Sequence, residues 1–192
     1  MLSVLLLPHQ SSSSYPTHSW YSHYNSLVAH ALINTRLDYA NSVLYGAPGY
    51  TVLKLQRVQN ALARIVLKSN SLSHSDSLLQ QLHWLPVHSR IHFKLASITV
   101  YKALSTSSPQ YLSSLLNFYT PSRTLRSSDK QLLDTVASKT IFGSRSFRSA
   151  APAVWNSIPL QIRTAPSMAS FKTNLKTHYF RLTVILPCLR FT

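Results

Sequence analysis

Apolar residues recur at helical spacing through most of this chain. In "SLVAHALINTRLDYANSVLYG", Val28, Leu32, Tyr39 and Val43 form one stripe and Ile33, Leu37, Ala40 and Leu44 the next. That pattern predicts one helix with a wide apolar face, stopped by Gly46 and Pro48. A second helix is predicted from Thr51 to Lys68, with Leu55, Val58, Leu62, Ile65 and Val66 on one side and Lys54, Arg57, Arg64 and Lys68 on the other. "NSLSHSDSLLQQLHWLP" predicts a short helix capped by Ser73 or Ser75 and ended before Pro86.

The next pattern runs from Val87 to Leu104 and carries two apolar stripes, Val87, Ile91, Leu95 and Ile98, then Phe93, Ala96, Val100 and Leu104. Arg90, Lys94 and Tyr101 fall between the stripes on one side, His88, His92 and Thr99 on the other. A helix striped twice is packed on two sides, and Trp84 at the preceding corner is the natural anchor of such a core. Beyond it the spacing predicts a helix from Pro109 to Tyr119, then a stretch without helical period in which "QLLDTVAS" and "KTIF" form a short β pair. Helices return at Arg145 to Asn156, with Pro152 confining the regular part, and from Ser167, an N-cap that sets Met168, Phe171, Leu175, His178, Tyr179 and Leu182 on one face.

The expected fold class is mainly α: an irregular helical bundle with a basic irregular or short β segment around residues 120–143. The expected organisation is a disordered lead over 1–25, a helical module over 26–119, the irregular basic segment over 120–143, C-terminal helices over 144–182 and a tail over 183–192. The expected core includes Trp84, Ile91, Leu95, Trp155, Phe171 and Leu175.

Charge changes the picture. Nineteen Lys and Arg face four acids, for a net charge of +15 over 192 residues. The acids are Asp38, Asp76, Asp129 and Asp134, and there is no glutamate. A surface this one-sided implies a polyanionic partner, or a fragment that lost an acidic neighbour. It also excludes chemistry: two-metal catalysis and paired-carboxylate hydrolysis need convergent acids that this spacing does not supply. The three glycines, Gly46, Gly49 and Gly143, form none of the common phosphate-cradling loops. The expectation is a chain that is not an enzyme and has no cofactor and no small-molecule substrate.

His88 and His92 lie one helical turn apart, close enough to share a metal ion. "HSRIH" lacks the glutamate of H-E-x-x-H, and the single cysteine, Cys188, supplies neither a disulfide nor a cysteine-based zinc site. The pair is therefore read as surface histidines, with no metal. The opening residues have an apolar run broken by Ser3 and Pro8 and no basic flank, and "LTVILPCLRFT" falls short of the roughly 20 residues that span a bilayer. No membrane span is expected, nor secretion, which leaves cytoplasm or nucleus.

Several segments share an order and spacing with one family. "RLDYANSVLYGAP", "LQRVQNALARIV", "LHWLPVHSRIHFK", "YTPSRTLRSSD" and "AAPAVWNSIPLQIRTAPSMASFKTNLKTHYF" together resemble the region that follows the polymerase core in reverse transcriptases of LINE-type, non-LTR retrotransposons of the jockey-like superfamily. The resemblance covers about residues 27–182. It implies a non-catalytic thumb or connection module: the family's Y-x-D-D segment and upstream aspartate have no match here. Ala40 stands where the family pattern usually carries cysteine.

From these residues the expected function is a truncated reverse-transcriptase fragment without the catalytic palm, binding RNA or DNA backbone without sequence preference. The candidate contacts are Lys54, Arg57, Arg64 and Lys68, then Arg90 and Lys94, Arg123 and Arg126 with neighbouring serines, Arg145 and Arg148, and Lys172 and Lys176. Such cations neutralise phosphates without reading bases. The competing expectations are a module that docks on a polymerase core supplied by another chain, a fragment with no function, and a basic amphipathic protein lying on anionic membrane.

Overall fold

The computed structural model describes residues 34–70, 72–121 and 131–185, together with Val28, Ala31 and Arg123. The expected lead over 1–25 and the end of the tail lie outside the described residues. The fold is mainly α, an irregular helical bundle.

The first expected helix is broken. Helix α1, Thr35–Asp38, ends at an extended Tyr39, Ala40 turns left-handed at φ 49°, and a 3-10 turn follows over Asn41–Leu44. The break has a partner elsewhere: Lys94 Nζ donates to the Asp38 carbonyl, which an unbroken helix would have used four residues on. Tyr39 and Val43, placed on an apolar stripe by spacing, are 83% and 81% exposed.

Helix α2, Gly49–Leu67, starts after Pro48 and closes on Lys68 in a left-handed cap. Its buried face carries Val52, Gln59, Leu62, Ala63 and Val66. Spacing had set Val58 and Ile65 on that face, but both are exposed, because the contact stripe is rotated to put a polar residue at its centre. Gln59 Nε2 donates to the Leu85 carbonyl at 2.9 Å, and Gln56 Oε1 accepts from the Val87 amide at 2.9 Å. Two glutamines thus dock α2 on the Trp84-Leu85-Pro86 corner. Gln56 also satisfies an amide that the next helix leaves without an internal acceptor.

Helix α3, Ser75–Gln81, precedes that corner. Its Leu78 and Leu79 bury with Trp84 against Leu62, Ala63 and Val66. Helix α4, Val87–Lys94, passes directly into a π-helical stretch, Leu95–Tyr101, and then α5, Lys102–Thr106. The wider π turn shifts the register of everything after it. Tyr101, expected beside Arg90 and Lys94 on a polar side, is buried instead and donates its hydroxyl to the Ala165 carbonyl at 2.9 Å.

The expected helix from Pro109 to Tyr119 shrinks to one turn, α6, Gln110–Ser113. Its latter part is drawn off into pairing: Tyr119 N donates to Leu132 O and Asp134 N to Asn117 O, each at 2.8 Å, around an antiparallel bridge between Phe118 and Leu133. "QLLD" therefore pairs with residues 117–119 and not with "KTIF". Ile141 and Phe142 sit in the single helical turn α7, Ile141–Ser144, which Thr140 Oγ1 caps by accepting from Gly143 N at 3.0 Å.

Helix α8, Phe147–Ser157, runs through a buried Pro152, so proline does not confine it. A short α9, Leu160–Arg163, leads to α10, Met168–Ile185, where Ser167 Oγ accepts from Ser170 N at 3.2 Å. Helix α10 continues past the boundary expected at residue 182.

The largest core joins the π stretch to α8 and α10. Phe171 stacks on Tyr101 at 4.3 Å and on Trp155 at 5.9 Å between ring centroids. Leu95 and Leu175 are buried in the same cluster, and Ile91 in a smaller one with Val52 and Val87. Leu133 is brought into this core by Asn156, whose amide both donates to the Leu133 carbonyl and accepts from its amide at 2.9 Å. Phe171 is 0% exposed, so Phe171→Ala is expected to cost about 3–5 kcal/mol in urea unfolding. Leu182→Ala, at the rim of the same helix, is expected to cost about 0.5 kcal/mol or less.

Candidate nucleic-acid interface

The cations expected at phosphate fall into two populations. Lys54 and Arg57 are exposed on the outer face of α2, and Lys68 is exposed at its cap. Lys54 Nζ lies 5.6 Å from the centroid of the Tyr50 ring, a cation resting on an aromatic face at the helix start. Arg123, Arg148, Lys172 and Lys176 are exposed as well, and Lys176 Nζ lies 5.7 Å from the Phe180 ring. Arg126 lies outside the described residues.

The second population is engaged inside the protein. Arg90, expected to face solvent or phosphate, has a side chain only 11% exposed; its Nη1 meets Asp38 Oδ1 at 2.9 Å. Its Nε donates to the Leu85 carbonyl at 3.0 Å. A guanidinium presents its donors in a fixed fork, which suits this double task, and a partly desolvated pair is not given up to a passing phosphate. Lys94 is half-buried against Asp38. Arg64 is half-buried, with Nη2 at 3.5 Å from the Ser73 carbonyl across the connection from α2 to α3. Arg145 is half-buried, and its Cγ occupies the space a Cβ on Gly46 would need. Gly46, at φ 68°, accordingly serves both the turn and this close approach.

Spacing did not single out Arg163. It is buried, donates from Nη1 to the Gln131 carbonyl at 3.1 Å, and burial pulls its pKa below the ordinary arginine value. Trp155 Nε1 reaches the same carbonyl at 3.0 Å. Together they anchor the start of the 131–134 segment.

Where α1, the corner and α10 meet there is a cleft of about 360 Å³. Trp84, Leu85 and Phe93 give it apolar walls; Arg90, Lys94, Lys176 and His83 give it basic ones; Asp38 and Asn41 complete the lining. The Arg90 guanidinium neutralises the carboxylate. Asn41 is buried, its Nδ2 lies 3.5 Å from Asp38 Oδ1, and its own Oδ1 has no donor. His83, left-handed at φ 52°, sets its ring edge-on to Phe180 at 6.4 Å. Neither Asp38 nor Asn41 carried a signal in the sequence, since Asp38 and Arg90 are 52 residues apart.

The two histidines of α4 do come together, with ring centroids 4.3 Å apart. His92 Nδ1 donates to the His88 carbonyl at 3.0 Å, and its ring meets Tyr45 edge-on at 5.3 Å. Partial burial and then the neighbouring His92 push His88 down from 6.5 to about 4, and burial lowers His92 too. Among the described residues no group of three or more His, Cys, Asp or Glu is placed to hold a metal ion. No described helix is long and apolar enough to cross a membrane. Compared with family models, with curated proteins and with solved structures, the chain gives no match.

Two consequences can be measured. Arg90→Ala should cost roughly 2–3 kcal/mol of stability, the worth of its charge-assisted hydrogen bonds, whereas Arg57→Ala should stay within about 0.5 kcal/mol; equal losses by denaturant titration would contradict the internal pair. The folded chain holds His88 neutral down to about pH 4, while an unfolded histidine protonates near 6.5. The unfolded state therefore binds more protons in that window, and stability should fall as pH drops from about 6.5 towards 4. His88→Gln should flatten that slope in thermal melts across the range.

Proposed function

We propose that this chain is a non-catalytic helical module that binds nucleic-acid backbone without reading sequence, of the kind that follows the polymerase core in LINE-type reverse transcriptases. The observation that carries the reading is how the charges are sorted. Of four acids, Asp38 is committed to Arg90 and Asp76 lies 3.6 Å from His74, while Lys54, Arg57, Lys68, Arg148, Lys172 and Lys176 remain exposed. Ammonium and guanidinium groups on an outer surface repel one another until a polyanion neutralises them. Helix α2 offers Lys54 and Arg57 one turn apart, with Lys68 at its cap, and such cations contact phosphates without reading bases.

The same distribution supports a role without catalysis. Phosphoryl and nucleotidyl transfer hold their metals with convergent carboxylates, and here Asp38 is drawn to Arg90 while Asp76 lies beside His74, far from it in sequence. The reverse-transcriptase resemblance rests on the sequence motifs alone, and the palm aspartates of that family have no counterpart in them. A second reading has its own observation: Val58 and Ile65 are 50% and 68% exposed on α2 among its cations, as expected of a face that docks on another protein, such as a polymerase core.

Binding to labelled RNA and DNA over a salt series separates the two. Backbone binding should weaken steeply and linearly on a log–log plot, and Lys54→Ala, Arg57→Ala and Lys68→Ala should each reduce the slope by about 1. Arg90→Ala should leave the slope unchanged. Affinity indifferent to salt would reject the proposal in favour of apolar docking.

A further inference from the structure

We propose that the cleft between Asp38 and Lys176 receives one unpaired nucleotide, so that the protein prefers single strands to duplex. The inference rests on the backbone-binding reading and adds to it a place where a base is held. Three features of the cleft point to the same ligand.

The first is charge. Arg90 answers the Asp38 carboxylate at 2.9 Å, so the net field comes from Lys94 and Lys176. Lys94 Nζ gives one donor to the Asp38 carbonyl and keeps two, since an ammonium has three. Lys176 is exposed. Two ammonium groups around one opening suit a phosphate.

The second is shape. Clefts that hold small ligands run from about 300 to 1,000 Å³, and about 360 Å³ is room for a single nucleotide, not for a base pair. Half-buried Phe93, with Trp84 and Leu85 behind it in the lining, supplies an apolar wall against which an unstacked base can lie. A paired base stays within its duplex and cannot reach them.

The third is a missing donor. Asn41 lines the cleft and its buried Oδ1 has no donor, so a small rotation of the side chain would offer that acceptor to a group entering the cleft. Such an atom costs stability until a donor arrives. Sulfate carries only acceptors, whereas the amino and imino groups of a base are donors. The feature therefore selects a nucleotide over a bare anion.

The test compares the full chain with two charge-matched variants on a short uridine oligonucleotide and on an RNA duplex with the same number of phosphates. Lys176→Glu alters the cleft, and Lys172→Glu makes the same change one turn away on α10, outside it. Plain backbone binding favours the duplex, whose charge density is higher. The proposal expects the reverse order in the unaltered chain, with Lys176→Glu losing about tenfold more single-strand affinity than Lys172→Glu and both losing equally on duplex. Uridine monophosphate should compete better than inorganic sulfate at matched ionic strength, because only the nucleotide fills the apolar wall as well as the ammonium pair. Equal single-strand losses in the two variants, or duplex bound as tightly as single strand, would overturn the cleft while leaving backbone binding in place. No binding to either nucleic acid at low salt would overturn both readings. Circular dichroism checks that the variants are folded, and Lys176→Gln replaces Lys176→Glu if the reversal disturbs α10.

Discussion

The Leu85 carbonyl oxygen accepts from two donors that approach from different parts of the chain, Gln59 Nε2 of α2 and Arg90 Nε of α4. A carbonyl has two lone pairs, and both are used here. Because the same guanidinium extends to Asp38, the Leu85 carbonyl and the Arg90 guanidinium between them tie α1, α2 and the Trp84 corner together. The corner fixes where α4 starts, and α4 leads without interruption into the π-helical stretch that carries Tyr101 to the aromatic stack. Loosening this polar junction would release the break after α1 and the seat of α2 together.

The second half is organised differently. Around the Tyr101, Phe171 and Trp155 rings, the segment from Gln131 to Asp134 has no helix of its own and borrows partners from α8 and α9. Asn156 imitates a neighbouring strand with its amide, while Trp155 and Arg163 converge on the Gln131 carbonyl. Irregular backbone is admitted to a core only when its polar groups are met in this way. Leu133, buried to 1% exposure, is the apolar return on that arrangement.

These constraints also divide the cations. Arg90, Arg163 and, in part, Arg64 and Lys94 are used as internal hydrogen-bond donors, in a chain with too few acids to pair them conventionally; they bond to backbone carbonyls instead. Other described cations stand outside, among them Lys54 and Arg57 on α2, Arg148 on α8, and Lys172 and Lys176 on α10. An excess of positive charge thus serves two purposes, and the boundary between them runs along the cleft where Arg90, Lys94 and Lys176 meet.

By itself the sequence determined the helical class, the position of Trp84 and Phe171 in cores and the Ser167 cap, because helical period and capping act over a few residues. It did not determine the break after Asp38, the exposure of Val58 and Ile65, the burial of Tyr101 or the partner of Leu133. Each of these was decided by a hydrogen bond or a contact between distant segments: Lys94 with Asp38, Gln59 with Leu85, Asn156 with Leu133. A basic residue on a helix face looks the same in sequence whether it waits for phosphate or closes on a carbonyl across the molecule. Only the packing of α1, α2 and α4 around one corner separated Arg90 from Arg57.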